Sequence, residues 1–242
     1  MDELELRLSA KRTIAEMELL FKEVHHRVKN NLQIVASLLS LQSRSAPHEV
    51  RAYFEASLRR IYSMGLLHER FYEERQIEQI DLTTYLRELL ERLLVSFSLQ
   101  DRVAAKVEGP QILIGLDVGT PLALLAAEVI GNSCKHAFPG ERKGQITVTT
   151  EEEHGSVRLR IGDDGVGLDP DARQARGMGS RLVGSFAQQL DATYRYNANE
   201  GTEFELSFPR RAPPLTSRTA GESGSDGVVG PGAPYLGSPV QT

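Results

Sequence analysis

Apolar residues recur every three or four positions along the first part of the chain, which is typical of amphipathic helices. Residues 1–42 contain neither proline nor glycine, and a second apolar pattern follows the break at residues 45–48. The two stripes comprise Met17, Phe21, Val24, Val28, Leu32, Val35, Leu38 and Leu39, then Phe54, Leu58, Ile61, Met64 and Leu67. The pattern predicts an antiparallel hairpin of two long helices, the second ending near Glu74.

Such a hairpin cannot enclose its apolar stripe alone. Two copies can combine into a four-helix bundle, so the sequence predicts a homodimer.

Beyond residue 80 the pattern changes to a mixture of strands and helices. Strict alternation over residues 146–150, 157–161 and 204–208 predicts half-buried strands, and shorter strands are expected at 103–107 and 112–114. Helical patterns occupy residues 82–98, 121–138 and 178–190. This irregular order predicts an α+β fold, a sandwich in which helices cover one face of a mixed sheet.

These patterns divide the chain into four predicted segments. They are an N-terminal helix over residues 1–22, the hairpin over 23–76, the sandwich over 77–210 and a disordered tail over 211–242, which is rich in glycine, proline and serine.

Composition and charge exclude several classes of function. The net charge of -5 gives no electrostatic case for nucleic acid, and no apolar run is long enough to insert directly into a membrane. The acidic N-terminus does not resemble a secretion signal, and the single cysteine, Cys134, excludes an intramolecular disulfide. We therefore expect a cytoplasmic protein.

Two adjacent histidines in the first helix have different expected environments. With Val24 as the origin and about 100° per residue, Phe21, Val28 and Val35 cluster near roughly 40° and define one buried direction. His25 lies about 60° from that direction and His26 about 160° from it. We expect His25 to be a structural residue at the core boundary, and His26 to project into solvent, where a neutral imidazole is a competent nucleophile.

Polar neighbours surround His26 on the predicted helix. Glu23 and Asn30 lie one turn away and could orient the ring or a water molecule. Arg27 and Lys29 could attract phosphate, although solvation accounts for them equally well.

A glycine-rich segment in the second half suggests a nucleotide site without a P-loop. Asp163, Gly165 and Gly167 follow a strand, while Gly177 and Gly179 precede a helix whose free N–H groups could bind phosphate. Such acidic-glycine turns are also common in hairpins, so this pattern alone is weak.

A second constellation strengthens the nucleotide prediction. Glu128 and Asn132 are four residues apart on one edge of a predicted helix, and Lys135 follows. An amide oxygen together with phosphate oxygens is a suitable ligand set for Mg²⁺, and Glu128 could polarise a nucleophile. Thr202 adds a hydroxyl before the last strand.

These motifs resemble those of bacterial two-component sensor histidine kinases. Residues 23–33, EVHHRVKNNLQ, are similar to the phosphoacceptor box of a subclass related to the HWE kinases. Residues 128–138, 163–167, 177–179 and 201–204 resemble the N, G1, G2 and G-T-x-F motifs of the Bergerat ATP-binding fold shared with gyrase, Hsp90 and MutL.

The resemblance implies a kinase that phosphorylates its own histidine with ATP and Mg²⁺, then passes the phosphoryl group to an aspartate of a response regulator. Residues 1–22 would receive the signal, for example from a separate sensory partner, residues 23–76 would dimerise and carry the phosphoacceptor, and residues 77–210 would bind ATP. In the hairpin, the resemblance implies that His26 is the phosphoacceptor and that Asn30 has a phosphatase function. On the predicted helix over residues 121–138, Glu128 would act as base or orienter, Asn132 would bind Mg²⁺, and Lys135 would contact phosphate, as would Thr202. Asp163 would contact adenine, and the ATP lid would include Gly165, Gly167, Gly177 and Gly179.

The chain departs from the family pattern at several positions. Arg27 stands where commoner histidine kinases have an acidic residue, so Glu128 or Glu23 must act as the base. Ala127 replaces an asparagine found in many relatives, and the lid over residues 168–176 is short. Two alternatives remain: an anti-sigma-factor-type serine kinase, which leaves the helical hairpin unexplained, and a nucleotide-binding pseudokinase scaffold.

Overall fold

The computed structural model describes residues 3–73, 79–167, 178–197 and 201–210. The predicted tail, Gly177 and the loop over residues 168–176 lie outside these ranges. Within them, no helix combines the length and apolar character needed to cross a membrane.

The N-terminal part of the chain forms the predicted antiparallel hairpin. Helix α1 spans Glu3–Ser45 and helix α2 spans His48–Glu73. The break coincides with Pro47, which has no N–H to donate and therefore suits the residue just before a new helix. The N–H of Val50 donates to the carbonyl of Pro47 at 3.0 Å and closes the first turn of α2.

The single buried direction predicted for α1 is wrong. Val28 and Leu32 are partly buried on the side that packs against α2, and among the described side chains of α1 Ala36 alone is fully buried. Val24 and Val35 remain 55% and 45% exposed. The apolar residues form two adjacent seams, that is, two rows of side chains along the helix axis. Helix α2 covers only one of these seams, because a single helix contacts a narrow stripe of its neighbour.

The second half contains an α+β sandwich, as predicted. Its elements are β1 (Ile80–Asp81), α3 (Leu82–Ser96), β2 (Val103–Glu108), β3 (Leu113–Ile114), α4 (Leu116–His136), β4 (Gly144–Glu153), β5 (Ser156–Asp163), α5 (Met178–Gln189), β6 (Thr193–Asn197) and β7 (Thr202–Pro209). The five-stranded sheet has the order β2-β4-β5-β7-β6, with β2 parallel to β4 and the other neighbours antiparallel. β1 and β3 form a separate antiparallel pair.

Alternation along the strands builds the core of the sandwich. Alternate residues of β4, β5 and β7 are buried, including Ile146, Leu159 and Phe204 at 0% exposed. They form one cluster with the inner faces of α3, α4 and α5, in which Leu122 and Ile130 of α4 are also fully buried. This arrangement places α4 in the middle of the helical layer and fixes the residues on its surface.

The start of one helix and the presence of one edge strand differ from the sequence prediction. Helix α4 begins at Leu116, not at Pro121, because a proline inside a helix removes one hydrogen bond without abolishing the preceding turn. The N–H of Gly119 donates to Gly115 and the hydroxyl of Thr120 to the carbonyl of Leu116. Strand β6 was not predicted because it has only five residues and is largely exposed, so burial does not distinguish its two faces.

The hairpin and the sandwich are packed against each other. Leu66, Leu67 and Phe71 of α2 belong to the same buried cluster as the sandwich core. The Tyr85 hydroxyl of α3 donates to the carbonyl of Ser63 at 3.1 Å. Helix α2 is therefore a shared element between the two units.

Candidate active site

Asp163 lies at the end of β5 and is only 8% exposed. Its Oδ2 accepts a hydrogen bond from the Ser133 hydroxyl at 2.8 Å. Its Oδ1 accepts from the N–H groups of Gly165 and Thr202, each at 3.2 Å. Three donors from three elements therefore fix the orientation of a nearly buried carboxylate, as a recognition group for a polar ligand requires.

Ser133 was missed by the sequence interpretation. It lies on the buried side of α4, next to Asn132, and is 9% exposed. A hydroxyl on the buried face of a helix needs a hydrogen-bond partner. This requirement could have indicated from the sequence that Ser133 contacts another polar group.

Two glycines beside Asp163 allow the backbone to approach closely. Gly201 has a φ of +101°, and a Cβ added there would collide with the carbonyl oxygen of Asp163. A Cβ at Gly165 would collide with Ala137 at the end of α4. Side chains at these positions would push β7 and the loop after β5 away from the site.

The loop after β5 is tied to the segment that follows α4. The N–H of Val166 donates to the carbonyl of Ala137 at 3.0 Å. The Arg142 guanidinium donates to the carbonyls of Asp164 and Gly165 at 2.9 and 3.2 Å. Arg142 thus holds the start of the glycine-rich loop, a role that the sequence did not suggest.

An open cavity of about 820 Å³ lies beside Asp163. Its lining includes Asp163, Gly201 and Thr202, and it reaches Gln145 and Thr147 on the side of the sheet that carries no helix. Asn132 and Lys135 are exposed on the C-terminal half of α4, outside this lining. The described residues thus bring Asp163 and Thr202 together, with the two α4 side chains separate from them.

Glu128 is far less accessible than the sequence suggested. Its side chain is 12% exposed, and its Oε2 accepts hydrogen bonds from Nε and Nη2 of Arg60 at 3.1 and 2.7 Å. A Cβ added at Gly179, near the start of α5, would collide with its Oε1. Glu128 therefore connects α2, α4 and α5.

The two histidines of α1 differ as predicted. His26 is exposed, whereas His25 is partly buried, with its Nδ1 3.1 Å from Nδ1 of His68 in α2. The His25 ring also stacks on Phe71 with an interplanar angle of 5°. Burial lowers the pKa of both His25 and His68, because desolvation disfavours the charged imidazolium.

Charged neighbours of His26 are engaged elsewhere on the hairpin. Glu23 forms an ion pair with Arg27 at 2.7 Å, and Lys29 pairs with Glu69 of α2 at 2.6 Å. Asn30 is exposed one turn after His26.

His26 and Glu128 lie at different levels of the hairpin. The pair of His25 and His68 marks the level of His26, whereas Glu128 contacts α2 at Arg60. Arg60 precedes His68 by more than two helical turns, about 12 Å along the axis. The structure therefore does not bring these two predicted catalytic residues together.

A helical hairpin with an exposed histidine, joined to an ATPase-type sandwich, defines the class of histidine kinases. Comparison with known families agrees: residues 23–97 match the HisKA_2 family, described as histidine kinase, and residues 117–212 match the family of histidine kinase-, DNA gyrase B- and HSP90-like ATPases. The two matches together cover more than half of the chain. The chain belongs to the histidine kinases, and its second half has the ATPase fold that binds ATP in this family.

Individual relatives support the same assignment. The sensor histidine kinase PdtaS of Mycobacterium tuberculosis is 28% identical over 205 residues, which cover 82% of this chain and 41% of PdtaS. The chain thus spans less than half the length of this curated relative. The solved histidine kinase domain of a blue-light-activated kinase from Erythrobacter litoralis shares the fold, with 24% identity and a TM-score of 0.59 over 81% of this chain and 93% of that domain.

A weaker likeness concerns the serine kinase alternative. The serine-protein kinase RsbW of Listeria innocua is 35% identical over 69 residues, which cover 28% of this chain and 43% of RsbW. This match covers only part of the chain, whereas the histidine kinase matches include the hairpin.

Proposed function

We propose that this chain is the kinase portion of a two-component sensor histidine kinase. It binds ATP in the sandwich over residues 77–210, phosphorylates His26 in the hairpin over residues 23–76, and donates the phosphoryl group to an aspartate of a response regulator. The observation that carries this proposal is the exposed His26 on a rigid helix packed beside the ATPase-type sandwich. A serine kinase or a nucleotide-binding scaffold has no use for such a histidine.

His26 has the chemistry of a phosphoacceptor. One nitrogen of its neutral imidazole attacks the γ-phosphorus of ATP in line, the new N–P bond forms, and the bond to the bridging oxygen breaks to release ADP. The N–H proton of the attacking imidazole is lost to a carboxylate or to solvent. Phosphohistidine then transfers its phosphoryl group to the carboxylate of the response regulator and returns to the free imidazole.

Asp163 is the residue we assign to adenine. Its fixed carboxylate can accept a hydrogen bond from the exocyclic amino group of the base, and the neighbouring glycines allow close approach of the ligand. Lys135 and Thr202 are assigned to the phosphates. Gly165, Gly167 and Gly179 flank the segment that would form the lid, and Gly167 has a φ of +78°.

Mg²⁺ fits this site only together with the nucleotide. Among the described residues, no cluster of three His, Cys, Asp or Glu side chains could hold a metal ion. Asn132, exposed on α4, offers one hard amide oxygen, and Mg²⁺ commonly takes its remaining ligands from phosphates and water. The ion would offset phosphate charge during transfer.

A dimer accounts for the uncovered seam of α1. Exposed apolar side chains continue along that seam at heptad-like spacing, where a second copy can bury them. They include Met17, Leu20, Val24, Ile34, Leu38 and Leu41, each at least 53% exposed. We assign the four-helix bundle of two hairpins to this surface.

Incubation with γ-labelled ATP and Mg²⁺ tests the proposal. Label that is stable in alkali, labile in acid and absent from His26→Gln is the expected result. His48→Gln, which changes another exposed histidine at the start of α2, is the matched control and should label normally. Label that survives acid would indicate a serine kinase, and the absence of label with intact ATP binding would indicate a scaffold.

The nucleotide site is tested by direct binding. Asp163→Asn keeps the shape of the side chain but adds an N–H donor where the adenine amino group must donate, so ATP affinity should fall at least tenfold. Asp101→Asn, an exposed aspartate before β2, should leave binding unchanged. Transfer is tested by adding a receiver domain to labelled protein, which should remove the label from His26.

A further inference from the structure

Glu128 is enclosed from two sides in this structure. Arg60 of α2 occupies its Oε2 with two hydrogen bonds, at 2.7 and 3.1 Å. The backbone of Gly179 in α5 lies against its Oε1. The side chains of Arg60 and Glu128 are 16% and 12% exposed. Both carboxylate oxygens are therefore covered by neighbouring elements.

This contact opposes the role assigned to Glu128. A carboxylate whose oxygens are covered by a guanidinium and by a helix backbone cannot contact an imidazole at the same time, because its lone pairs are already engaged. Separating the guanidinium from the carboxylate costs free energy at a poorly hydrated interface. Arg60 thus stabilises a form of Glu128 that cannot readily assist an imidazole.

The contact also holds Glu128 at a different position along the hairpin axis from His26. Helix α4 runs antiparallel along α2, with Gly119 near Leu67 and Glu128 at Arg60. His26 lies at the level of His68, so Glu128 is held about 12 Å away along the axis. A general base must reach within about 3 Å of the group that it serves. Phosphorylation of His26 with the help of Glu128 requires the sandwich to leave this position.

We propose that Arg60 is an autoinhibitory latch, which holds Glu128 and the sandwich against α2 until the kinase is activated. This inference rests on the proposed function. The apolar contacts of Leu67 and Phe71 lie toward the connection to α3 and can act as a pivot, while the Arg60 end opens. Arg60 acts through Glu128 and is a positioning residue.

Autophosphorylation rates of Arg60 variants test the latch. Arg60→Gln should raise the initial rate roughly three- to tenfold at saturating ATP without changing KM for ATP, because loss of one contact shifts a two-state equilibrium toward the open form. Arg60→Lys keeps the charge and should stay close to the wild-type rate. The matched control is Arg70→Gln, which removes an Arg–Glu pair between α2 and Glu88 of α3 and should not raise the rate.

The position of the sandwich gives an independent readout. Spin labels on Glu49→Cys in α2 and Glu141→Cys after α4 report the distance between hairpin and sandwich, and buried Cys134 should not react. Dilution with unlabelled chain restricts the signal to one protomer. Arg60→Gln should lengthen and broaden this distance, whereas Arg60→Lys and Arg70→Gln should not.

The outcomes separate the latch from the proposed function. Wild-type protein that takes up label, with an Arg60→Gln rate at or below the wild-type rate or with an unchanged distance, overturns the latch alone. An equal rate increase in Arg70→Gln also overturns it. Failure of every form to label at His26, with ATP still bound, overturns the proposed function and with it the inhibitory role of Arg60.

Discussion

The hairpin and the sandwich use apolar residues in opposite ways. In the sandwich, alternate strand residues such as Ile146 and Phe204 are 0% exposed, and the helices complete the core within one chain. On α1, Leu20 is 65% exposed and Leu38 57%, although they belong to a regular apolar seam. The sandwich core, together with the α2 residues packed on it, is therefore closed within one chain, whereas the hairpin has an apolar surface that the other described residues leave exposed.

The largest expected effect concerns the sandwich core. Phe204→Ala removes a fully buried ring that contacts Tyr194 and Tyr196, and should lower the free energy of unfolding by about 3–5 kcal/mol. Urea denaturation of the sandwich measures this loss. Val95→Ala on the exposed side of α3 is the control, with an expected change within about 0.5 kcal/mol. Equal effects of the two variants would contradict a complete core.

The uncovered seam of α1 gives the next largest effect. The double variant Ile34→Glu/Leu38→Glu places carboxylates in the proposed dimer interface and should weaken dimerisation on the order of a hundredfold. Sedimentation or light scattering across concentrations measures this change, and the urea midpoint of the sandwich should not move. Val95→Glu, an equivalent change on α3, should leave the dimer intact. A wild-type protein that is monomeric at high concentration would contradict the dimer.

A smaller effect is expected at the hydrogen bond that orients Asp163, the residue assigned to adenine. Ser133→Ala removes the hydroxyl that donates to Asp163 and should reduce ATP affinity about five- to tenfold, equivalent to roughly 1 kcal/mol. Calorimetric titration with ATP measures this change. Ser156→Ala, at the opposite end of β5, is the control and should bind ATP normally. Unchanged affinity in Ser133→Ala would show that the backbone donors alone orient Asp163.

The smallest effect concerns how the stability of the hairpin depends on pH at the contact between His25 and His68. His25 and His68 have folded pKa values below the unfolded value of about 6.5, so the unfolded chain binds more protons near and below that pH. Their contribution to stability is fully present above pH 6.5 and is lost as the pH falls through the lowered folded pKa values.

Thermal unfolding from pH 7.5 to pH 5.5 measures this effect. The wild-type Tm should fall by a few degrees more than that of His68→Gln, in which the histidine pair is absent. Parallel slopes for the two proteins would contradict protonation of the pair as the cause. His48→Gln, which changes an exposed histidine, should follow the wild-type curve.

The sequence determined the elements whose patterns are local. Periods of two and of three to four residues predicted the hairpin, the principal strands and the helices of the sandwich, because burial of one face imposes these periods directly. Helical phase also predicted that His26 is exposed and that His25 is not, and the motifs identified the kinase family. Strand β6 was missed because it is a short edge strand whose residues are largely exposed, so its alternation is brief and carries little apolar contrast.

The tertiary structure decided what depends on contacts between distant segments. No local pattern could show which apolar seam of α1 packs against α2, that Ser133 binds Asp163, or that Arg60 covers Glu128, since each pairing depends on how separate elements pack. The same limit applies to the positions of His26 and Glu128, which the motifs suggested as partners and the packing separates. Sequence motifs specify which chemical groups a kinase has, and the packing of α4 on α2 specifies which of them can meet.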